Sequence, residues 1–164
     1  MLHLIIGEGK GKTSAAAGMA LRAAGHGKTV LFAQFLKDGS SGEIGVLRGI
    51  DGITVAVPTV NHGFLFRMNE AQRQETAADY AAMLKTISEN PAFLTVLDEA
   101  LHALKGGLIS RKQLEPLLDR DGELVLTGYD PPEWLTARAD YISEIRKLKH
   151  PFDSGLTARE GVEY

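Results

Sequence analysis

The stretch Gly7-Glu8-Gly9-Lys10-Gly11-Lys12-Thr13, GEGKGKT, follows directly on the apolar run Leu4-Ile5-Ile6. It has the make-up of a phosphate-binding loop joining a strand to a helix. Glycines let backbone N–H groups turn inward around phosphate oxygens, and the helix that follows presents free N–H groups and the positive end of its dipole. Lys12 is suited to neutralise phosphate charge and the Thr13 hydroxyl to ligate Mg2+. An ordinary glycine-rich turn would not need Gly-Lys-Thr at the helix start. Yet the loop is one residue short: the usual pattern sets four residues before the final Gly-Lys-Thr, and only Glu8, Gly9 and Lys10 separate Gly7 from Gly11. A shorter loop changes how far backbone donors can wrap a phosphate chain, so the ordinary ATP pose is not expected.

The residues on either side build the fold that such a loop needs. Leu2 to Ile6 reads as a short buried strand, and Thr13 to Ala24, rich in Ala, Met and Leu, as a helix stopped by Gly25. Thr29 to Phe35, TVLFAQF, is nearly all apolar, as in a strand covered on both faces. A glycine-rich segment from Gly39 to Gly52 holds a short helix over Glu43 to Arg48, and Ile53 to Val57 is a further strand. Asn69 and Gln72 have capping-box spacing ahead of a helix whose face carries Ala77, Tyr80, Ala81, Leu84 and Ile87. Phe93 to Leu97 is a buried strand running into Asp98-Glu99. Ser110 and Gln113 repeat the capping-box spacing, Glu123 to Thr127 is a strand, and Asp130, Pro131 and Glu133 mark another helix start. Tyr141 to Leu148 fits neither period.

Strands alternating with helices predict an α/β fold: a mostly parallel sheet, P-loop NTPase-like (RecA-like), with helices on both faces. Ligands of such sheets sit at the carboxyl ends of the strands. Gly7–Thr13, the segment after Phe35, Asp98-Glu99 and Thr127-Gly128 all fall at that edge. The length of 164 residues suits one domain over residues 1–164, with 44% apolar and 24% charged residues as in ordinary globular proteins. There are no cysteines, which excludes disulfides, thiolate metal sites and a cysteine nucleophile and fits a cytoplasmic setting. A net charge of −3 gives no basis for a nucleic-acid partner. No apolar run is long enough to span a bilayer, and the N-terminus does not read as a signal peptide.

Two further segments carry candidate chemistry. FLTVLDE, Phe93 to Glu99, ends an apolar strand in two acids, which beside a phosphate loop can hold Mg2+ directly or through water; spacing does not say which acid touches the metal. NHGFLFR, Asn61 to Arg67, sets Phe64 and Phe66 in a glycine-flanked loop. Composition favours a loop folded onto the core over an apolar platform for a flat ligand. His62 is read as solvated rather than as a metal ligand, and His102 as either facing the site or packing.

Taken together, these segments resemble the P-loop type of ATP:corrinoid (cob(I)alamin) adenosyltransferase along almost the entire chain. The resemblance rests on the shortened GEGKGKT with SAAAGMALRAAGHG after it, then AQFLK, Gly42-Glu43, Gly63 to Phe66, VLDEAL, LTG and the closing KHPFDSGLTAREGVEY. It implies transfer of the 5′-deoxyadenosyl group of ATP to the cobalt of a reduced Co(I) corrinoid, with intact triphosphate leaving. It also implies ATP held in a reversed orientation, Mg2+, a reductase supplying Co(I), and a homodimer. It puts Gly7, Glu8, Gly9, Lys10, Gly11, Lys12, Thr13 and Ser14 on the nucleotide, with Lys12 catalytic. Thr13 and Glu99 go on the metal with Asp98 in support, and Phe64 and Phe66 under the corrin, which reverses the reading from composition. Tyr141–Leu148 becomes a last strand, with the KHPFDSG segment near the nucleotide. The chain departs from the pattern at Glu8, where Asn or Asp is commoner, at Leu101 in place of Asn, and at Tyr129 in place of Arg. It starts almost at the first strand, so the N-terminal extension that commonly helps cover the family's site is not expected. Two other functions compete: a kinase or ATPase, which would release ADP, and a non-catalytic module that binds nucleotide or adenosylcorrinoid.

Overall fold

The structure is a computed structural model and describes residues 1–162; Glu163 and Tyr164, the end of the closing segment, lie outside the described residues. Six strands form one sheet: β1 Leu2–Ile6, β2 Val30–Gln34, β3 Ile53–Ala56, β4 Leu94–Asp98, β5 Glu123–Gly128 and β6 Tyr141–Glu144. Their order is β3-β2-β4-β5-β1-β6, and every pairing is parallel. All six carboxyl ends therefore lie along one edge. The helices are α1 Lys12–Gly25, α2 Gly42–Arg48, α3 Glu70–Glu89, α4 Ala100–Lys105, α5 Arg111–Leu118 and α6 Glu133–Thr136.

The apolar runs sort by the two-residue period of a strand. Leu2 and Leu4, Leu31 and Ala33, Leu97, and Leu124 and Leu126 point to one face, where Tyr80, Leu84 and Ile87 of α3, Leu101 of α4 and Leu114 of α5 cover them. Ile5, Val30 and Phe32, Val96 and Val125 point to the other, under Ala16, Ala17 and Ala20 of α1 and Ile44 and Leu47 of α2. Helices thus cover both faces, as the continuous hydrophobic runs predict. The alanines of α1 matter here, because small side chains let that helix lie close to the sheet and bring its N-terminus to the carboxyl edge.

Local signals set most element ends. Asn69 caps α3 by accepting from the Gln72 N–H at 2.9 Å while the Gln72 side chain accepts from the Asn69 N–H at 2.9 Å. Ser110 donates its N–H and hydroxyl to the Gln113 side chain at 2.7 Å. Three sequence readings shift. Gly25 is the last residue of α1, and the positive φ that ends it belongs to Gly27 at 69°. Phe93 stays outside β4, exposed on the surface. The inward face of α3 includes Thr76, buried although polar because its hydroxyl donates to the Gln72 carbonyl at 2.8 Å. No helix among the described residues is long and apolar enough to cross a membrane.

Candidate active site

Among the described residues, three that are not glycine have left-handed backbone conformations: Leu36 at φ 57°, Glu99 at 62° and Asp130 at 51°. Each lies just past the carboxyl end of a strand, β2, β4 and β5 respectively. Such conformations cost about 1–3 kcal/mol each and persist where the surrounding structure enforces them. One enforcing contact is plain: the Leu36 N–H donates to the Tyr80 hydroxyl at 2.8 Å. The strain gathers on the edge that the shortened loop shares.

Beneath that edge runs a buried polar chain. Asp98, at the end of β4, is fully buried together with Gln34 of β2 and Thr127 of β5. Thr127 donates its hydroxyl to Asp98 Oδ1 at 2.7 Å, and Gln34 donates its amide to Oδ2 at 3.1 Å. Ser41 donates to the Gln34 carbonyl oxygen at 3.1 Å, and the Glu99 N–H donates to Thr127 Oγ1 at 2.9 Å. From above, the Thr13 hydroxyl reaches both Asp98 oxygens, at 3.0 and 3.1 Å. This chain fixes the start of α1 relative to β4, although β5 lies between β4 and β1, the strand that leads into α1. The sequence placed Thr127 at that edge and Gln34 inside the strand Thr29 to Phe35 but gave neither a role; a Gln and a Thr inside otherwise apolar buried strands were the signal.

The loop itself splits into two parts. Gly9, Lys10, Gly11, Lys12, Thr13 and Ser14 line a cavity of about 460 Å3. Gly7 and Glu8 stand outside that lining. The Gly7 N–H donates to Gly128 O at 3.1 Å and the Gly9 N–H to Ile145 O at 2.8 Å, so both donors are committed within the protein. Lys12 folds back over the loop, its ammonium donating to Gly9 O at 3.0 Å. Lys37, Glu43 and Glu99 also face the cavity, with Val162 from the closing segment. The ammonium of Lys37 lies 3.5 Å from Thr13 Oγ1 and 3.6 Å from Asp98 Oδ2.

Glu99 approaches His102 Nδ1 at 2.5 Å. Burial acts to raise its carboxyl pKa, but contact with His102 and the charges of Lys37 and Lys12 outweigh that and hold it below the usual value. Glu99 is therefore an anion facing two ammonium groups. Thr13, Asp98 and Glu99 are hard oxygen donors of the kind Mg2+ takes, and the Lys37 ammonium lies beside two of them. No cluster of three or more His, Asp or Glu side chains suited to a metal occurs among the described residues. A Mg2+ ion here would complete its shell with phosphate and water, as it commonly does.

Phe64 and Phe66 do not pack into the core. They are 66% and 79% exposed, with ring centroids 5.5 Å apart and the Arg67 guanidinium 5.7 and 5.6 Å from the two rings. They line a second cavity, of about 490 Å3, with His102, Lys105 and Tyr129 on its wall. Leu36, Gly63 and Phe64 line both cavities. Tyr129 meets His102 edge-on at 4.3 Å, and Lys105, ion-paired with Asp130 at 2.6 Å, lies 4.5 Å from the Tyr129 ring centroid. Sequence reading left His102 open between facing the site and packing and marked the change at Tyr129, but it did not bring the two together or include Lys105. His62 is paired with Glu75 at 2.8 Å and lines neither cavity. The KHPFDSG segment forms an exposed turn held by Lys147 and Asp153 at 3.0 Å.

Comparison with known proteins identifies the family of the chain. The chain is 32% identical to a corrinoid adenosyltransferase of Pseudomonas aeruginosa, over 96% of this chain and 80% of that protein. It is 31% identical to the corrinoid adenosyltransferase CobA of Salmonella typhimurium, over 100% of this chain and 85% of the relative. A corrinoid adenosyltransferase of a Sinorhizobium species is 30% identical over 96% of this chain and 77% of its own length. The profile of the ATP:corrinoid adenosyltransferase BtuR/CobO/CobP family matches residues 1–164, and the chain belongs to that family.

Proposed function

We propose that this enzyme transfers the 5′-deoxyadenosyl group of ATP to the cobalt of a Co(I) corrinoid, with its 164 residues acting as one domain. The observation that carries this reading is the shared wall of Leu36, Gly63 and Phe64 between a phosphate-binding cavity and an aromatic one. A phosphoryl-transfer enzyme needs its second substrate at the γ-phosphate; an adenosyl transfer needs a flat second substrate at the other end of ATP. The cobalt lone pair forms the Co–C5′ bond, the C5′–O bond breaks, and its electron pair leaves with the triphosphate. The chain's task is to bind both substrates, align them, and neutralise charge growing on the leaving group. Lys12 and the N–H groups at the start of α1 serve that end. Thr13 and Glu99 would hold Mg2+, with Asp98 orienting Thr13 from below; the ion supplies further positive charge to the phosphates. Phe64 and Phe66 would receive the corrin. A reductase must deliver Co(I), and a homodimer in the cytoplasm completes the proposal.

The test is phosphorus NMR of protein with Mg-ATP, in tubes with and without chemically reduced corrinoid. Inorganic triphosphate and a light-sensitive cobalt–carbon product are expected only with corrinoid. ADP and phosphate in both tubes would identify a phosphoryl-transfer enzyme, and tight binding without turnover a binding module.

Lys12→Ala removes a charge-assisted contact worth about 1.5–3 kcal/mol. ATP affinity measured by calorimetry should fall roughly tenfold or more by that amount. The melting temperature should stay near wild type, because among the described residues the ammonium donates only to Gly9 O. Unchanged ATP affinity would remove Lys12 from the site.

A further inference from the structure

The ammonium of Lys37 occupies an unusual place. Asp98 is fully buried, and its oxygens already accept from Thr13, Gln34 and Thr127. A buried carboxylate with hydrogen bonds but no nearby positive charge is costly. Lys37 supplies that charge at 3.6 Å, while also standing 3.5 Å from the Thr13 hydroxyl. Its side chain is 37% exposed, so it reaches the acid across the cavity and is not sealed in with it. The preceding residue, Leu36, has a left-handed backbone conformation held by the Tyr80 hydroxyl. Strained backbone immediately before a lysine turned onto the loop is the pattern of a positioned group and not of a wandering surface cation.

We propose that Lys37 is a tethered counter-cation which substitutes for the metal in the nucleotide-free enzyme and transfers its charge to the leaving triphosphate in the loaded one. The proposal rests on reading this cavity as a metal–triphosphate site. Thr13 is both a hydrogen-bond neighbour of Lys37 and a donor for the metal. Two cations cannot share those oxygens without strong repulsion, so the ammonium must turn away when Mg-ATP enters. The phosphate chain is then the anion within the same cavity, whose wall Lys37 already forms with Lys12. Lys37 would thus oppose metal binding in the absence of nucleotide and favour binding of triphosphate, which ties the metal site to the presence of ATP.

These two effects have opposite signs in one variant, which a structural role alone would not produce. Lys37→Met keeps the length of the side chain and removes the charge; Lys37→Gln is a second neutral variant, and Lys37→Arg keeps the charge. Mn2+ binding without nucleotide is followed by the electron paramagnetic resonance of the free ion. Inorganic tripolyphosphate binding without metal is followed by calorimetry. Both neutral variants should bind Mn2+ about tenfold more tightly than wild type and tripolyphosphate about tenfold more weakly, while Lys37→Arg stays near wild type in both. Unchanged or weaker Mn2+ binding in the folded neutral variants overturns the proposal, as does unchanged tripolyphosphate binding. Neither assay contains corrinoid, so this failure is separate from failure of the adenosyl-transfer reading, which the product analysis decides.

Discussion

Gly7→Ala should be among the most damaging single-methyl substitutions in this protein, lowering stability by about 2–6 kcal/mol. Two costs add. Gly7 has φ 113°, a region that non-glycine residues occupy at about 1–3 kcal/mol. A Cβ there would also stand 2.3 Å from the Ile145 carbonyl oxygen, which is backbone and cannot rotate away; overpacking of this kind adds about 1–3 kcal/mol. Gly11 separates the two terms. Its φ is 115°, but a Cβ would meet nothing within 4 Å. Gly11→Ala should therefore lose only the conformational part, about 1–3 kcal/mol. Urea unfolding of both variants checks the difference. Equal losses would mean that the chain just past β6 yields at Ile145, and that the close approach to the loop is soft.

That comparison bears on why the loop is short. The donors that a phosphate loop turns toward its ligand are here partly spent on the protein: the Gly7 N–H goes to β5 and the Gly9 N–H to the end of β6. The cavity lining begins at Gly9 and continues into the first turn of α1. The individual glycines of the loop thus divide between close packing and the cavity.

The same division explains what sequence could and could not supply. The sheet and its carboxyl edge were legible because the strands are buried on both faces and so read as unbroken apolar runs. The capping boxes at Asn69 and Ser110 were legible because they are local. Tyr141–Leu148 was not, since β6 is exposed along its length and carries no alternation that burial would impose. Only its resemblance to a known closing strand placed it. Asp98 was visible as an acid at a strand end, but its coupling to Thr13 depends on strands far apart in sequence meeting at one edge. Lys37 on one cavity wall and His102 beside Tyr129 on the other meet only through that same convergence, although His102, three residues after Glu99, was already open to a place at the site. The left-handed turn at Leu36, which directs Lys37, was equally silent, because leucine gives no sign of positive φ; the hydroxyl of Tyr80, far along the chain, stabilises it.

Phe66 offers the sharpest separation of function from folding. Composition assigned the aromatic loop to the core, whereas the structure leaves Phe66 79% exposed, stacked beside Phe64 on the rim of the second cavity. Removing such a side chain should change stability by no more than about 0.5 kcal/mol. If the ring supports the corrin, Phe66→Ala leaves ATP affinity intact, because Phe66 does not line the phosphate cavity. Adenosyl transfer should nevertheless fall by about tenfold to a hundredfold, the cost of a misplaced reactant. Phe35 serves as the control: it is fully buried against Tyr80 at a centroid distance of 4.9 Å, and Phe35→Ala should cost about 3–5 kcal/mol. Thermal melts, ATP calorimetry and the appearance of the cobalt–carbon product should therefore sort the two phenylalanines into opposite classes. A Phe66→Ala protein that melts well below wild type yet transfers normally while folded would return the aromatic loop to a packing role. The corrin would then have to be received by other residues of that cavity, with Tyr129 and His102 the first to be replaced.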